Sequence, residues 1–167
     1  MRELNTLAER TIAADPADVW AYRLDFSHLP AYNADVTDLT LVEPAGPDGT
    51  GAHYRFDLAA AGTTTPIDLR VTEAVAGEVV AIEMEGALAA RERFTVAPSP
   101  EGDDPRRCVA AIALTLMVPD SIPATADETL LANGNAQIAG ELDRMQEILS
   151  PASPVGSDQG RGGNADD

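Results

Sequence analysis

Apolar and polar residues alternate with a period of two through the middle of the chain and with a helical period near its end. Ala52–Leu58 sets Tyr54, Phe56 and Leu58 on one face and His53, Arg55 and Asp57 on the other. Pro66–Ala74 sets Ile67, Leu69 and Val71 against Asp68, Arg70 and Thr72. Alternation over consecutive runs is the mark of antiparallel strands with one wet face. Further strands are expected over residues 7–14, Val36–Glu43, Glu78–Glu85, Ala90–Ala97 and Cys108–Val118. The last of these is apolar at nearly every position, as in a strand with little access to solvent.

Helix signals bracket this block. Asp15-Pro16-Ala17-Asp18 supplies an N-cap, a proline for the first turn and an early negative charge. A helix from Pro16 to Leu24 follows, expected to bury Val19, Trp20 and Leu24. Ser27 is read as the cap of a second short helix carrying Leu29, Pro30 and Tyr32, and ending near Asn33. After Pro119–Pro123 a long helix runs from Thr125 or Asp127 to Leu149. Leu131, Ile138, Leu142, Met145 and Leu149 form one stripe along it. The pattern as a whole is α+β: about seven antiparallel strands, two short helices after the first strand, and a long closing helix.

Charge suggests a register for one hairpin. With Glu85 opposite Arg91 and Glu83 opposite Arg93, Ile82 faces Phe94 and Val80 faces Val96. Opposite charges then pair on one face and apolar side chains on the other. Met84 would lie opposite Glu92, a misfit that turns Glu92 toward the buried side or its rim. The four charged residues read as a solvated ladder rather than a catalytic cluster.

Composition narrows the function classes. The chain has 167 residues and a formal charge of −17, and all 11 basic residues are arginine. Such a balance disfavours nucleic acid and anionic membranes. No apolar run reaches the roughly 20 residues of a membrane span, and no signal-peptide core opens the chain, so a cytoplasmic protein is expected. Residues 150–167 are rich in Ser, Gly, Asp and Pro and read as a disordered tail. Residues 1–149 form the expected domain.

Chemical motifs are sparse. Cys108, the single cysteine, lies in an apolar run and reads as a small buried hydrophobe. His28 and His53 are scattered, so no metal site and no cofactor are expected. Gly49-Thr50-Gly51 is a turn, not a phosphate loop. The sequence names no catalytic residues.

The run Thr11-Ile12-Ala13-Ala14-Asp15-Pro16-Ala17-Asp18-Val19-Trp20, the run Asp25-Phe26-Ser27-His28-Leu29-Pro30-Ala31-Tyr32-Asn33 and the closing amphipathic helix together resemble the START/Bet v 1-like (SRPBCC) superfamily. Within it the likeness is to the bacterial polyketide cyclase/dehydrase and lipid-transport group. It covers residues 7–149. It implies a helix-grip fold, a curved sheet wrapped around the last helix with an apolar cavity between them. It also implies a small hydrophobic ligand such as a lipid or polyketide. On that basis Tyr32, Tyr54, Phe56, Ile82, Met84 and Phe94 are expected as pocket walls, with Ile138 and Leu142 from the helix and Asn135 as a polar anchor. Core filling is the plain alternative for each aromatic. A cyclase or aromatase using an inward Tyr, His or carboxylate as general acid/base is a second reading, and a non-catalytic partner-binding subunit a third. A monomer or homodimer is expected.

Overall fold

The computed structural model describes residues 1–60 and 62–151. Residues 152–167, the greater part of the expected tail, lie outside the described residues. Seven strands form one antiparallel sheet: β1 (Arg2–Ile12), β2 (Val36–Glu43), β3 (His53–Ala60), β4 (Thr63–Val75), β5 (Val79–Glu85), β6 (Ala89–Pro98) and β7 (Cys108–Val118). Their order across the sheet is β1-β7-β6-β5-β4-β3-β2. Sequential strands are neighbours from β2 to β7, and the N-terminal strand returns to pair with the last. Three helices complete the fold: α1 (Pro16–Leu24), α2 (Leu29–Tyr32) and the long α3 (Asp127–Leu149). The curved sheet folds around α3, as the helix-grip pattern requires.

The first helix starts where its sequence signals place it. Asp15 has extended backbone geometry, and its carboxylate accepts from the Ala17 N–H at 2.8 Å. Pro16 occupies the first turn, where no N–H donor is missed. Val19 is fully buried, and Trp20 is half-buried with its indole Nε1 donating to the Val79 carbonyl at 2.8 Å. Leu24 is half-buried. Arg23 is buried in its place on the same face as Val19, four residues on.

Three expectations need correction. The cap of the second helical segment is Asp25 rather than Ser27: its carboxylate accepts from the Ser27 N–H at 3.0 Å and opens a 3-10 turn, Phe26–His28, ahead of α2. β1 begins at Arg2 rather than at residue 7, because it pairs with β7 along its whole length, from Arg2 opposite Val118 to Ile12 opposite Cys108. Arg2 is further fixed by Asp127, which accepts from Nη2 at 2.5 Å.

The third correction is the β5–β6 register, which is displaced by two residues from the expected one. Glu83 lies opposite Arg91, Ala81 opposite Arg93, Ile82 opposite Glu92 and Val80 opposite Phe94. A two-residue shift leaves every side chain on its face, so charge and hydrophobicity do not separate the two registers. The arginines find carboxylates on other strands: Arg91 pairs with Glu3, and Arg93 with Glu73. The four residues of the hairpin ladder remain exposed.

The core lies between the inner sheet face and α3. Ile138, Leu142 and Met145 of the helix are fully buried against it, and Leu131 is half-buried. Cys108 is buried and free, and burial pushes its thiol up to about 11. It is a packing residue, not a nucleophile.

Candidate functional site

The sheet does not close completely onto α3. A cavity of about 250 Å³ remains between the inner face of β3–β7 and the N-terminal half of the helix. Its walls are mainly apolar: Phe56, Leu58, Ile67, Leu69, Ile82, Met84, Ala90, Leu114 and Leu116 from the sheet, with Phe26 and Leu29 from the first helical segments. The alternation of β3 to β7 sends these residues inward. Gly134 lets α3 lie close to β7: a Cβ there would stand 3.1 Å from Leu114 Cδ2 and 3.6 Å from Leu116 Cδ1. The rim carries the exposed residues Ala60, Ala87, Asn133 and Gln137. A groove continues from it between α2 and α3, bordered by Tyr32, Ala136, Gly140 and Arg144.

The deep end of the cavity is charged. Arg23, Asn33, Glu92 and Glu141 all line it, and all four are buried. Arg23 Nη1 donates to Glu141 Oε2 at 3.0 Å, and Nη2 donates to Glu92 Oε1. Asn33 Nδ2 donates to Glu141 Oε1 at 2.9 Å. The rings of Phe26, Tyr32 and Phe94 surround the guanidinium, their centroids 5.4, 5.1 and 5.7 Å from its carbon. One cation thus serves two carboxylates inside an aromatic cage.

This arrangement shifts the titration of its members. Burial pushes the Glu92 carboxyl up to about 7, Arg23 opposes the shift, and Glu141 adds to it. Burial alone would lower Arg23, but the two carboxylates outweigh it and hold the guanidinium above its ordinary value. Tyr32 is raised, chiefly by burial, and its hydroxyl is sealed from solvent without a partner among the described residues.

Of the residues expected as walls, the structure brings Phe56, Ile82 and Met84 to the cavity. The rest lie elsewhere. Tyr54 packs against Phe26 with ring centroids 5.9 Å apart, and Phe94 packs against Arg23; neither lines the cavity. Ile138 and Leu142 are fully buried core on α3, which is tightly packed at that level. Tyr32 faces the outer groove and the aromatic cage. Asn135 does not line the cavity: its Nδ2 donates to Thr6 Oγ1 at 2.8 Å and to the Leu7 carbonyl at 3.2 Å, tying α3 to β1. His53 is buried on the far side of the sheet, 2.6 Å from Asp68.

Sequence reading missed Arg23, Asn33 and Glu141. The first and last did carry a signal. Arg23 follows buried Val19 by four, and Glu141 follows Ile138 by three and precedes Met145 by four, so helical spacing puts both on the buried stripes. Asn33 carried none.

The family described as "Polyketide cyclase / dehydrase and lipid transport" matches residues 5–149, nearly the whole described domain. The chain belongs to this family. Solved structures agree on the fold. A START superfamily protein from Mycobacterium smegmatis has a TM-score of 0.69 at 18% identity, over 89% of this chain and 99% of its own. The protein TTHA0849 from Thermus thermophilus has a TM-score of 0.69 at 18% identity, over 87% and 97%. Ara h 8.0201 has a TM-score of 0.63 at 11% identity, over 89% and 98%. A comparison with curated proteins finds no match. The family's START-like, helix-grip fold is thus the fold of this chain. Among the described residues no group of three or more His, Cys, Asp or Glu side chains could hold a metal ion, and no helix is long and apolar enough to cross a membrane.

Proposed function

We propose that the chain binds one small, mainly hydrophobic molecule in the cavity between sheet and α3, its polar end directed at the Arg23–Glu92–Glu141 cluster. The observation that carries this reading is the cavity itself, apolar along its walls and charged only at its deep end. Ligand pockets combine these features: apolar walls supply affinity and a few polar groups fix orientation. Membership of a family described by cyclisation, dehydration and lipid transport supports it. Thermal unfolding in the presence of neutral medium-chain alcohols tests it. A saturable rise in melting temperature is expected from mass action. No rise with any of them would refute it.

A cyclase-type activity is the second reading, and Glu92 favours it. A buried carboxyl held near 7 can both take and give a proton at neutral pH, and the cavity wall could hold a poly-β-keto chain folded for ring closure. The test is turnover of such a chain. Loss of turnover with retained binding in Glu92→Gln would support catalysis, and the absence of any conversion by the native protein would leave binding alone.

A further inference from the structure

We infer that the ligand of this cavity ends in a hydrogen-bond donor, a hydroxyl or an ammonium, and that the cavity refuses a carboxylate. The inference rests on the proposed function and names the chemical class of its ligand.

The charges on the cavity lining decide it. Among the described residues Arg23 is the only cation there, beside Glu92 and Glu141. Its two terminal nitrogens are spent on those carboxylates, and its Nε is sealed from solvent. The guanidinium's charge is already shared by two carboxylates, so an incoming anion meets no uncompensated cation. Arg144, at the outer groove, is paired with Glu147 at 2.5 Å. The remaining polar lining residues, Asn33, Thr65, Asn133 and Gln137, are uncharged. An ionised carboxylate entering the cavity would lose its water and meet a net negative floor, the costliest arrangement for a buried charge.

The floor offers an acceptor instead. Glu92 is 5% exposed, and its Oε1 is taken by Arg23. Its Oε2 has no hydrogen bond among the described residues, and Glu92 lines the cavity, so that oxygen is left as an acceptor there. A hydroxyl can donate to it. An ammonium can also balance the carboxylate that one guanidinium leaves uncompensated.

The two heads differ in their response to pH. Glu92 is faced by Arg23 from α1, Tyr32 from α2 and Glu141 from α3, and its neighbours on β5 and β7, Ile82 and Leu114, are apolar. As pH falls through about 7 Glu92 takes a proton and the floor loses its excess negative charge. An ammonium then loses its partner, whereas a hydroxyl still has an oxygen to bond.

Calorimetric titration with octan-1-ol, octylamine and octanoate, which share one chain length, tests the inference. At about pH 8.5, where the amine is cationic and the acid anionic, the alcohol and the amine are expected to bind and octanoate is not. Octylamine should weaken roughly tenfold or more between about pH 8.5 and pH 5.5. In Glu92→Gln that dependence should vanish and octylamine should bind as weakly at high pH as at low. Octanoate binding as tightly as octan-1-ol, or an octylamine profile that is flat in the native protein, overturns the inference while leaving the cavity's function standing. The native three-probe comparison decides this even where the variant does not fold. Failure of all three probes to bind overturns the proposed function and this inference together.

Discussion

Arg23 on α1 and Glu92 on β6 meet inside the protein, Nη2 donating to Oε1, with both side chains almost wholly withdrawn from solvent. The pair joins the helix that follows the first strand to the middle of the sheet. Through Glu141 the same guanidinium reaches α3. Three elements are therefore fastened at one point, and that point is the floor of the cavity.

Removing the shared cation should be costly. Arg23→Met leaves two buried carboxylates without their partner, and a loss of about 3–5 kcal/mol is expected in denaturant unfolding. A loss below about 1 kcal/mol would show that the cluster does not clamp the three elements together.

Glu92 should make stability fall with rising pH over a defined window. Its folded value, about 7, lies above the ordinary 4.5. Between these values the folded state holds a proton that the unfolded chain has released. The stabilisation is therefore complete below the lower value and is lost as pH rises through the upper one, by about 3 kcal/mol at most. Glu92→Gln should flatten this decline in urea unfolding measured from acid to neutral pH. An unchanged slope would show that Glu92 does not titrate there.

The outer-face arginines should matter little. Arg93 pairs with Glu73, and each side chain is about half exposed. Arg93→Ala should cost on the order of 0.5 kcal/mol, as read from the denaturation midpoint at constant m-value. A cost several times larger would mean that the pair helps to hold the register.

The helix cap should be worth more. Asp15→Ala removes the acceptor of the Ala17 N–H and should cost about 1 kcal/mol. Asn at this position should recover most of it, because it caps equally well.

The contrast between Asp15 and Arg23 shows what the sequence could reveal. Caps and alternation are local, so α1, β3, β4 and the start of α3 could be read from neighbouring residues. Glu92 was visible as a charge on an apolar face, but its partners were not, since Arg23 and Glu141 stand 69 and 49 positions away. The hairpin register failed for a related reason. Glu3 and Glu73, the carboxylates that satisfy Arg91 and Arg93, come from strands outside the hairpin. Aromatic residues were expected to line the cavity because they are large and face inward. Phe94 instead packs against the buried guanidinium of Arg23, and Tyr54 packs against Phe26.

The binding cavity itself is tested most directly by titrating octan-1-ol into the native protein and into Ala90→Phe. Ala90 lines the cavity on the same strand face as Glu92, so a ring at that position enters the space the ligand would occupy. The native protein is expected to bind one molecule per chain, and the variant to keep its circular dichroism spectrum and lose binding. Equal binding by both proteins, or none by the native one, would contradict the account.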